Sequence, residues 1–238
     1  MMILNPHVYM QIKENHMDNP TIPVALQPSY AQAHEDVILE SLLRAYMLRT
    51  KKMMYLIFFE IGANHPVATS ASFLLKQKLG IHTVLVEANP DLIPQLRQHR
   101  HSDTIINAAI TDQDVAEVEF YLSPDNEISS LNKDFVKAWK EGDISGVIHV
   151  PALRINSLFD QMHLPRNVDI ILSIDIEGYD YNILADIDFD KYKPLIIMVE
   201  PSEEFAPGTI AKMMELLESK GYQLYSQTFV NLIFMRQE

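Results

Sequence analysis

Carboxylates in this sequence stand at the ends of apolar runs that are typical of buried strands. They are Glu60, Glu87, Asp175, Glu177 and Glu200. In an open α/β sheet, ligands bind beyond the carboxyl ends of the parallel strands, so we expect these acids to share one rim of the sheet. So much negative charge on one rim disfavours a phosphate-rich ligand and favours a ligand with cationic groups and free hydroxyls.

Gly62 and Glu87 narrow the choice of ligand. Gly62 directly follows the first run and permits a close approach of the backbone to a ligand. Glu87 ends the second run, where an acidic residue meets ribose hydroxyls in nucleotide-binding sheets. The dinucleotide pattern Gly-x-Gly-x-x-Gly is incomplete, because Asn64 and Val67 occupy its other two glycine positions. These features favour S-adenosylmethionine (SAM), which carries a sulfonium, an ammonium and a ribose diol, over the alternative, the cofactor of an NAD-dependent oxidoreductase.

Alternating strand and helix patterns predict the scaffold that positions these acids. Apolar runs predict strands at 55–61, 82–87, 104–110, 168–174, 195–200, 222–226 and 231–235, with a peripheral one at 115–122. Helical patterns are found at 68–79, 91–99, 134–141, 180–186 and 207–220, after a first helix that includes Ile38 and Leu42. The predicted fold class is α/β, a mostly parallel sheet with helices on both faces. Because only about four residues join the last two strands, the C-terminal strand is predicted to be antiparallel.

Length and proline content predict the domain organisation. The chain has 238 residues, which suits one α/β domain, and its hydrophobic content of 47% excludes an intrinsically disordered chain. Residues 1–29 contain four prolines and show no sustained periodicity, so we expect an irregular N-terminal arm. The domain itself is predicted to span 30–238.

Charge and residue usage exclude several classes of function. The net charge of −13 disfavours nucleic acid as a partner, and the absence of Cys excludes disulfides, thiolate metal sites and a cysteine nucleophile. The longest apolar run, 53–59, is too short to span a membrane, and the first residues lack the basic region of a signal peptide. We therefore expect a cytoplasmic protein without a membrane span. The sequence leaves open whether the protein forms a homo-oligomer.

Four motifs, by their residue types and their order along the chain, resemble those of the FkbM-type SAM-dependent methyltransferases. Residues 58–66 (FFEIGANHP) resemble the first motif of that family, although Glu60 stands where Asp is usual, and residues 86–90 (VEANP) resemble the second. Residues 174–180 (IDIEGYD) resemble its Asp-x-Glu-Gly signature. Upstream, 30–32 (YAQ) is similar to the family's Ser-Gln lead-in.

The resemblance implies a Rossmann-like class I methyltransferase fold with a seven-stranded sheet. It also implies methyl transfer from SAM to a hydroxyl of a sugar, glycan or related metabolite. The residues it assigns to the cofactor are Gln32, Glu60, Gly62, Ala63, Asn64, Glu87, Ala88, Asn107, Ala108 and Asp175. Within this set, 60–64 are expected at the methionine end, 87–88 at the ribose and adenosine, and 107–108 beside the adenine.

Asp175 and Glu177 are the candidate catalytic residues. A sugar hydroxyl is a poor nucleophile, so a general base or a metal ion must assist its attack on the methyl group. Alternate residues of an extended strand point to the same side, so the two carboxylates are expected to converge, either as a general base or as oxygen ligands of Mg²⁺. In the alternative interpretation, Asp175 only orders the methionine end of SAM and Glu177 caps the next helix. A non-catalytic SAM-binding or scaffold protein also remains open.

Overall fold

The computed structural model describes residues 28–51, 55–139, 143–165 and 167–237. The predicted arm at 1–29 lies outside these residues except for its last two positions. The helices are α1 (Glu35–Thr50), α2 (Phe73–Leu79), α3 (Ile93–His99), α4 (Lys133–Ala138), α5 (Ile155–Gln161), α6 (Asp180–Asp186) and α7 (Thr209–Ser219). The strands are β1 (Tyr55–Ile61), β2 (His82–Glu87), β3 (Thr104–Asn107), β4 (Ala109–Ile110), β5 (Glu117–Leu122), β6 (Gly146–Leu153), β7 (Val168–Ile174), β8 (Ile196–Val199), β9 (Tyr222–Gln227) and β10 (Leu232–Arg236).

Seven of the strands form one mostly parallel sheet, which confirms the predicted fold class. Their order is β3-β2-β1-β7-β8-β10-β9. The pairs from β3 to β8 are parallel, whereas β10 is antiparallel to both β8 and β9. The direction of strand order reverses between β1 and β7, and in open α/β sheets this switch point is where a ligand crevice forms.

Alternate residues of the central strands pack into two apolar cores, one on each face of this sheet. On β1, Phe59 and Ile61 pack in a cluster with residues of α5, α6 and α7, whereas Leu56 and Phe58 pack with α1 and α2. This division follows from the two-residue period of an extended strand. Helices therefore cover both faces, as predicted.

A second, smaller sheet has three strands in the order β4-β6-β5. The sequence patterns missed β6 and α5, and they treated 104–110 as one strand, whereas the chain leaves the main sheet after Asn107 and enters the small sheet at Ala109. β6 pairs with β5 over six antiparallel positions. Its partner is distant in sequence, so local periodicity carried little signal for it.

Helix α2 begins at Phe73 and not at residue 68 as predicted. The physical reason lies in β1, because the buried Glu60 carboxylate accepts hydrogen bonds from Ser70, Ala71 and Ser72. These bonds hold 70–72 in an irregular turn, and the helix starts only after it. No helix within the described ranges combines the length and apolarity needed to cross a membrane.

Candidate functional site

A cleft opens at the carboxyl ends of β1, β2 and β7. It encloses about 830 Å³, part of which is open to solvent. Nine of the eleven predicted site residues line it: Gln32, Gly62, Ala63, Asn64, Glu87, Ala88, Ala108, Asp175 and Glu177. The strand-end rule thus brought together most of the residues that the sequence analysis selected.

Gly62 makes the contact between the loops that follow β1 and β7. Its φ is +86°, and a Cβ added there would lie 1.8 Å from the carbonyl oxygen of Asp175. The amides of Gly62 and Ala63 both donate to the carbonyl of Val86, and the amide of Asp175 donates to that of Ile61. Only glycine allows this approach, because any side chain would collide with the Asp175 backbone.

Glu87 shapes the nucleotide side of the cleft. One carboxylate oxygen accepts the amide of Asn64 at 2.8 Å and the other accepts the amide of Asn89 at 2.7 Å. Burial raises the pKa of Glu87, and these backbone donors oppose that increase. A carboxylate has about four lone-pair sites, so each oxygen can still accept a ribose hydroxyl.

Glu60 does not line the main cleft, whereas Gly62, Ala63 and Asn64 of the same motif do. Its carboxylate accepts three hydrogen bonds, from Ser70, Ala71 and Ser72, as described above. Arg100 donates to the same two serines and so brings a positive charge close to this carboxylate. Burial raises the pKa of Glu60, and Arg100 acts against that effect. Glu60 thus stabilises the turn behind the cleft.

Asn107 also lies outside the lining of the cleft. Its amide nitrogen donates to the carbonyl oxygens of Glu87 and Ala88, at 2.9 and 3.0 Å. The amide of Ala108 donates to the same Glu87 carbonyl at 3.1 Å. Asn107 therefore fixes the backbone that carries Glu87, while Ala108 faces the cleft.

Asp175, Glu177 and Glu200 form an acidic cluster at one end of the site. One oxygen from each carboxyl lies within 4.8 Å of the others, and all three residues are partly buried. Burial, together with the negative charge of Asp175, raises the pKa of Glu177 to about 10 and that of Glu200 to about 11. Among the described residues, no Lys, Arg or His forms an ion pair with any of the three.

A tight turn, and not an extended strand, makes Asp175 and Glu177 converge. β7 ends at Ile174, and Glu177 has a φ of +59°. The buried Asp180 holds this turn, because its carboxylate accepts the amides of Ile176 and Gly178. From the other side of the cleft, Ser130 donates to the carbonyl of Glu177 at 2.6 Å. The predicted convergence is present, but its geometric reason was wrong.

Glu177 does not cap the next helix, which was the alternative role predicted for it. Helix α6 begins after Tyr179 and receives no side-chain cap. The carboxyl of Glu177 is therefore left for the cleft, which it lines.

The sequence analysis left several residues of the cleft out of the predicted site. Glu200, which the sequence analysis had placed on the same rim, does not line the cleft itself but lies beside Asp175 in the acidic cluster. The loop residues Asn126, Glu127, Ser129 and Leu131 line the cleft, and they carry no periodic or motif signal. Three carboxylates with no positive partner can accept protons, bind the cationic part of a ligand, or supply the oxygen ligands that Mg²⁺ prefers.

The fold and the site together define a class of protein. A seven-stranded sheet with one antiparallel strand near its C-terminal end, and a cleft at its switch point, is the Rossmann-like architecture of class I methyltransferases. The model of the methyltransferase FkbM domain matches residues 60–224. The chain belongs to this family, which confirms the resemblance of its motifs and defines its chemistry as methyl transfer. No curated protein sequence matches the chain.

Solved methyltransferase structures are similar to this chain at a distance. Precorrin-6y C5,15-methyltransferase from Geobacter metallireducens is 15% identical, with a TM-score of 0.42, covering 83% of this chain and 88% of its own. A putative RNA methyltransferase from Pyrococcus horikoshii is 11% identical, with a TM-score of 0.41 and full coverage of both chains. The SAH-bound methyltransferase PaMTH1 from Podospora anserina is 10% identical, with a TM-score of 0.42, and the match covers 100% of this chain and 98% of PaMTH1. The family match, and not these distant similarities, carries the assignment.

Proposed function

We propose that this chain is a SAM-dependent O-methyltransferase whose acceptor is a hydroxyl of a sugar, glycan or related metabolite. The observation that carries the proposal is the acidic cluster of Asp175, Glu177 and Glu200 at the end of the cleft. It favours a cationic donor such as a sulfonium, and it provides a carboxylate to receive the proton of a hydroxyl. Membership of the FkbM family supports the same reaction.

The lining of the cleft supports a specific placement of the donor. Glu87 offers lone pairs for the ribose diol, and the small side chains of Ala88 and Ala108 leave space for the adenine. The loop at 62–64 then faces the methionine end, with Gln32 and Asp175 beside it. This placement puts the sulfonium near the acidic cluster, where opposite charges attract.

The reaction in this site is an in-line displacement. A lone pair of the acceptor oxygen attacks the methyl carbon, and the carbon–sulfur bond breaks with its electrons remaining on sulfur, which gives S-adenosylhomocysteine (SAH). The hydroxyl proton passes to a carboxylate, for which we propose Glu177. Its pKa of about 10 describes the ligand-free protein, and the positive sulfonium lowers that pKa so that the carboxylate form can accept the proton.

Metal assistance is a second way to activate the hydroxyl with the same residues. The oxygen donors of Asp175, Glu177 and Glu200 fit a hard divalent cation such as Mg²⁺. Such an ion would supply Lewis-acid chemistry that lowers the pKa of a bound hydroxyl. Activity with and without a chelator distinguishes this from carboxylate base catalysis.

The decisive experiment incubates the protein with isotopically labelled SAM and a library of acceptors that carry hydroxyl, amine or carboxyl groups. We expect labelled methyl ethers, detected by mass spectrometry, and their loss in the Glu177→Gln variant. Label on nitrogen or carbon would contradict O-methylation. A thermal shift with NAD and none with SAM would favour the oxidoreductase, and SAM binding without transfer to any acceptor would favour the non-catalytic alternative.

A further inference from the structure

A second, smaller cavity lies beside the main cleft at Gly62. Gln32, Gly62, Thr69 and Asp175 line both spaces. The small cavity offers about 20 Å³ to the centre of a water-sized group, which is enough for one water molecule or one ammonium and too little for a carboxylate or phosphate. Its size alone therefore restricts which part of a ligand can enter.

Asn231 contributes a buried acceptor to this cavity. The residue is 4% exposed and lies just before β10, and its side-chain oxygen has no hydrogen-bond partner among the described residues. Its amide nitrogen donates to Glu35 at 3.4 Å. A carboxylate can only accept, so this bond fixes the orientation of the amide and leaves the oxygen available to a donor. A buried acceptor without a donor is costly, which indicates that a ligand supplies one.

The charge of the cavity selects a cationic donor. Three acidic residues line it: Glu35, Glu60 and Asp175. Glu35 accepts hydrogen bonds from the hydroxyl of Thr228 at 2.6 Å and from the amide of Ala33 at 2.8 Å, so it is held in place at the start of α1. Neither Glu35 nor Asp175 forms an ion pair within the part of the chain that the structure describes. A positive group of water size would meet an attractive field here.

We propose that this cavity binds the α-ammonium of the methionyl part of the donor, and that the Asn231 side-chain oxygen accepts one of its hydrogen bonds. The inference rests on the proposed function, because it requires SAM in the main cleft with its methionine end toward Gly62. It adds Asn231 and Glu35, from opposite ends of the chain, to the cofactor site. The carboxylate of the same amino acid is excluded by size and by charge.

The test uses isothermal titration calorimetry with SAH and with a deamino analogue that has hydrogen in place of the α-amino group. We expect the wild-type protein to bind SAH at least tenfold more tightly than the analogue. The substitution Asn231→Ala should weaken SAH binding by about ten- to a hundredfold, the effect of one hydrogen bond to a charged group, and should leave the affinity for the analogue nearly unchanged. Asn156→Ala is the matched control, because Asn156 donates to the Asp186 carbonyl outside the cleft.

Each other outcome overturns the inference. Equal affinity of the wild-type protein for both ligands would mean that water fills the cavity, and equal loss of both ligands in Asn231→Ala would mean that Asn231 has only a structural role. The wild-type comparison needs no variant, so it can overturn the inference even where Asn231→Ala does not fold. A wild-type protein that binds neither SAH nor SAM contradicts the proposed function itself.

Discussion

The acids at the ends of β1 and β2 differ from those at the ends of β7 and β8 in what surrounds them. Glu60 and Glu87 are buried, but backbone amides and serine hydroxyls donate to their oxygens. Asp175, Glu177 and Glu200 instead face one another, and the hydrogen bond between the side chains of Asp175 and Glu200 requires a proton on one of the two. Both groups stand at the same edge of one sheet.

This difference separates acids that build the site from acids that remain available to a ligand. Hydrogen-bonded carboxylates position loops and contribute to stability, whereas crowded carboxylates without a positive partner cost stability until a cation or a proton arrives. The contrast assigns the positioning of loops to the first group, in which Glu87 is also proposed to hold the ribose, and proton transfer to the second. The following substitutions test this division, beginning with the contact where the two groups meet.

The largest effect is expected for Gly62→Ala. The new Cβ would lie 1.8 Å from the Asp175 carbonyl oxygen, and φ is also positive, so the loops after β1 and β7 must separate. We expect a loss of more than about 4 kcal/mol in the free energy of unfolding, measured by denaturant titration. Gly80→Ala is the control, because Gly80 also has positive φ but nothing within 4 Å, so about 1–2 kcal/mol is expected. Similar losses in both variants would show that the close approach is unimportant.

Glu177→Gln tests the second group directly. Removal of the proposed base should lower kcat by about 10²- to 10⁴-fold, the usual contribution of general base catalysis. With a pKa of about 10, Glu177 is protonated in the ligand-free protein at neutral pH, and holding that proton costs stability that a neutral glutamine does not. The free energy of unfolding of the ligand-free protein should therefore not fall. Steady-state kinetics and thermal unfolding measure the two quantities, with the exposed Glu215→Gln on α7 as control. Wild-type kcat, or a clear loss of stability, would place Glu177 with the structural acids.

Glu60→Gln should show the opposite pattern. A glutamine amide has one acceptor oxygen where the carboxylate has two, and it lacks the negative charge near Arg100. It therefore cannot keep all three hydrogen bonds from Ser70, Ala71 and Ser72, and this loss costs about 1–3 kcal/mol. We expect a loss of that size in the free energy of unfolding, with kcat at saturating SAM close to the wild-type value. A protein of unchanged stability with a collapsed kcat would move Glu60 into the catalytic group.

Glu87→Gln should act mainly on cofactor affinity. The carboxylate holds the amides of Asn64 and Asn89 and, as proposed, the ribose diol, so losing charge-assisted hydrogen bonds of about 1.5–3 kcal/mol corresponds to about ten- to a hundredfold weaker SAH binding. Calorimetry should show no such change for an SAH analogue that lacks both ribose hydroxyls. If the analogue weakens to the same extent, Glu87 acts only through the loop.

Sequence patterns predicted most of the main sheet because its strands are apolar runs that are buried on both faces. The observed α6 has the predicted bounds, and the antiparallel β10 followed from its short connection to β9. β6 was missed because its pairing with β5 is non-local and because it begins at Gly146 and contains Pro151, two residue types that weaken a strand prediction. The start of α2 was misplaced because a tertiary contact with Glu60 overrides local helical periodicity.

The site was predictable where a strand end places a residue, and not elsewhere. Gly62, Glu87 and Asp175 each follow or end a recognisable strand, so the edge rule was enough to group them. Asn231 approaches the cofactor side from the last hairpin, and Glu127 reaches the cleft from a short 3₁₀ helix, Asn126–Ile128. No local pattern of residue types shows that such positions return to the same edge.

The effect that is smallest per unit change of conditions is a slope of stability with pH, and it tests the crowding of the acidic cluster without any ligand. The Glu177 pKa of about 10 lies above the ordinary value of 4.5, so its contribution to stability is fully present below pH 4.5 and is lost as pH rises toward 10. Each such group gives at most about 1.4 kcal/mol per pH unit.

Asp103 is the opposite case: burial raises its pKa, but hydrogen bonds from Lys76 and Arg100 prevail and lower it below 3.8. Its contribution is therefore lost only in acid. We expect the free energy of unfolding to fall between pH 6 and 9, a flatter profile in Glu177→Gln, and an unchanged slope in Asp103→Asn; a wild-type profile without a slope would contradict the crowding of the acidic cluster.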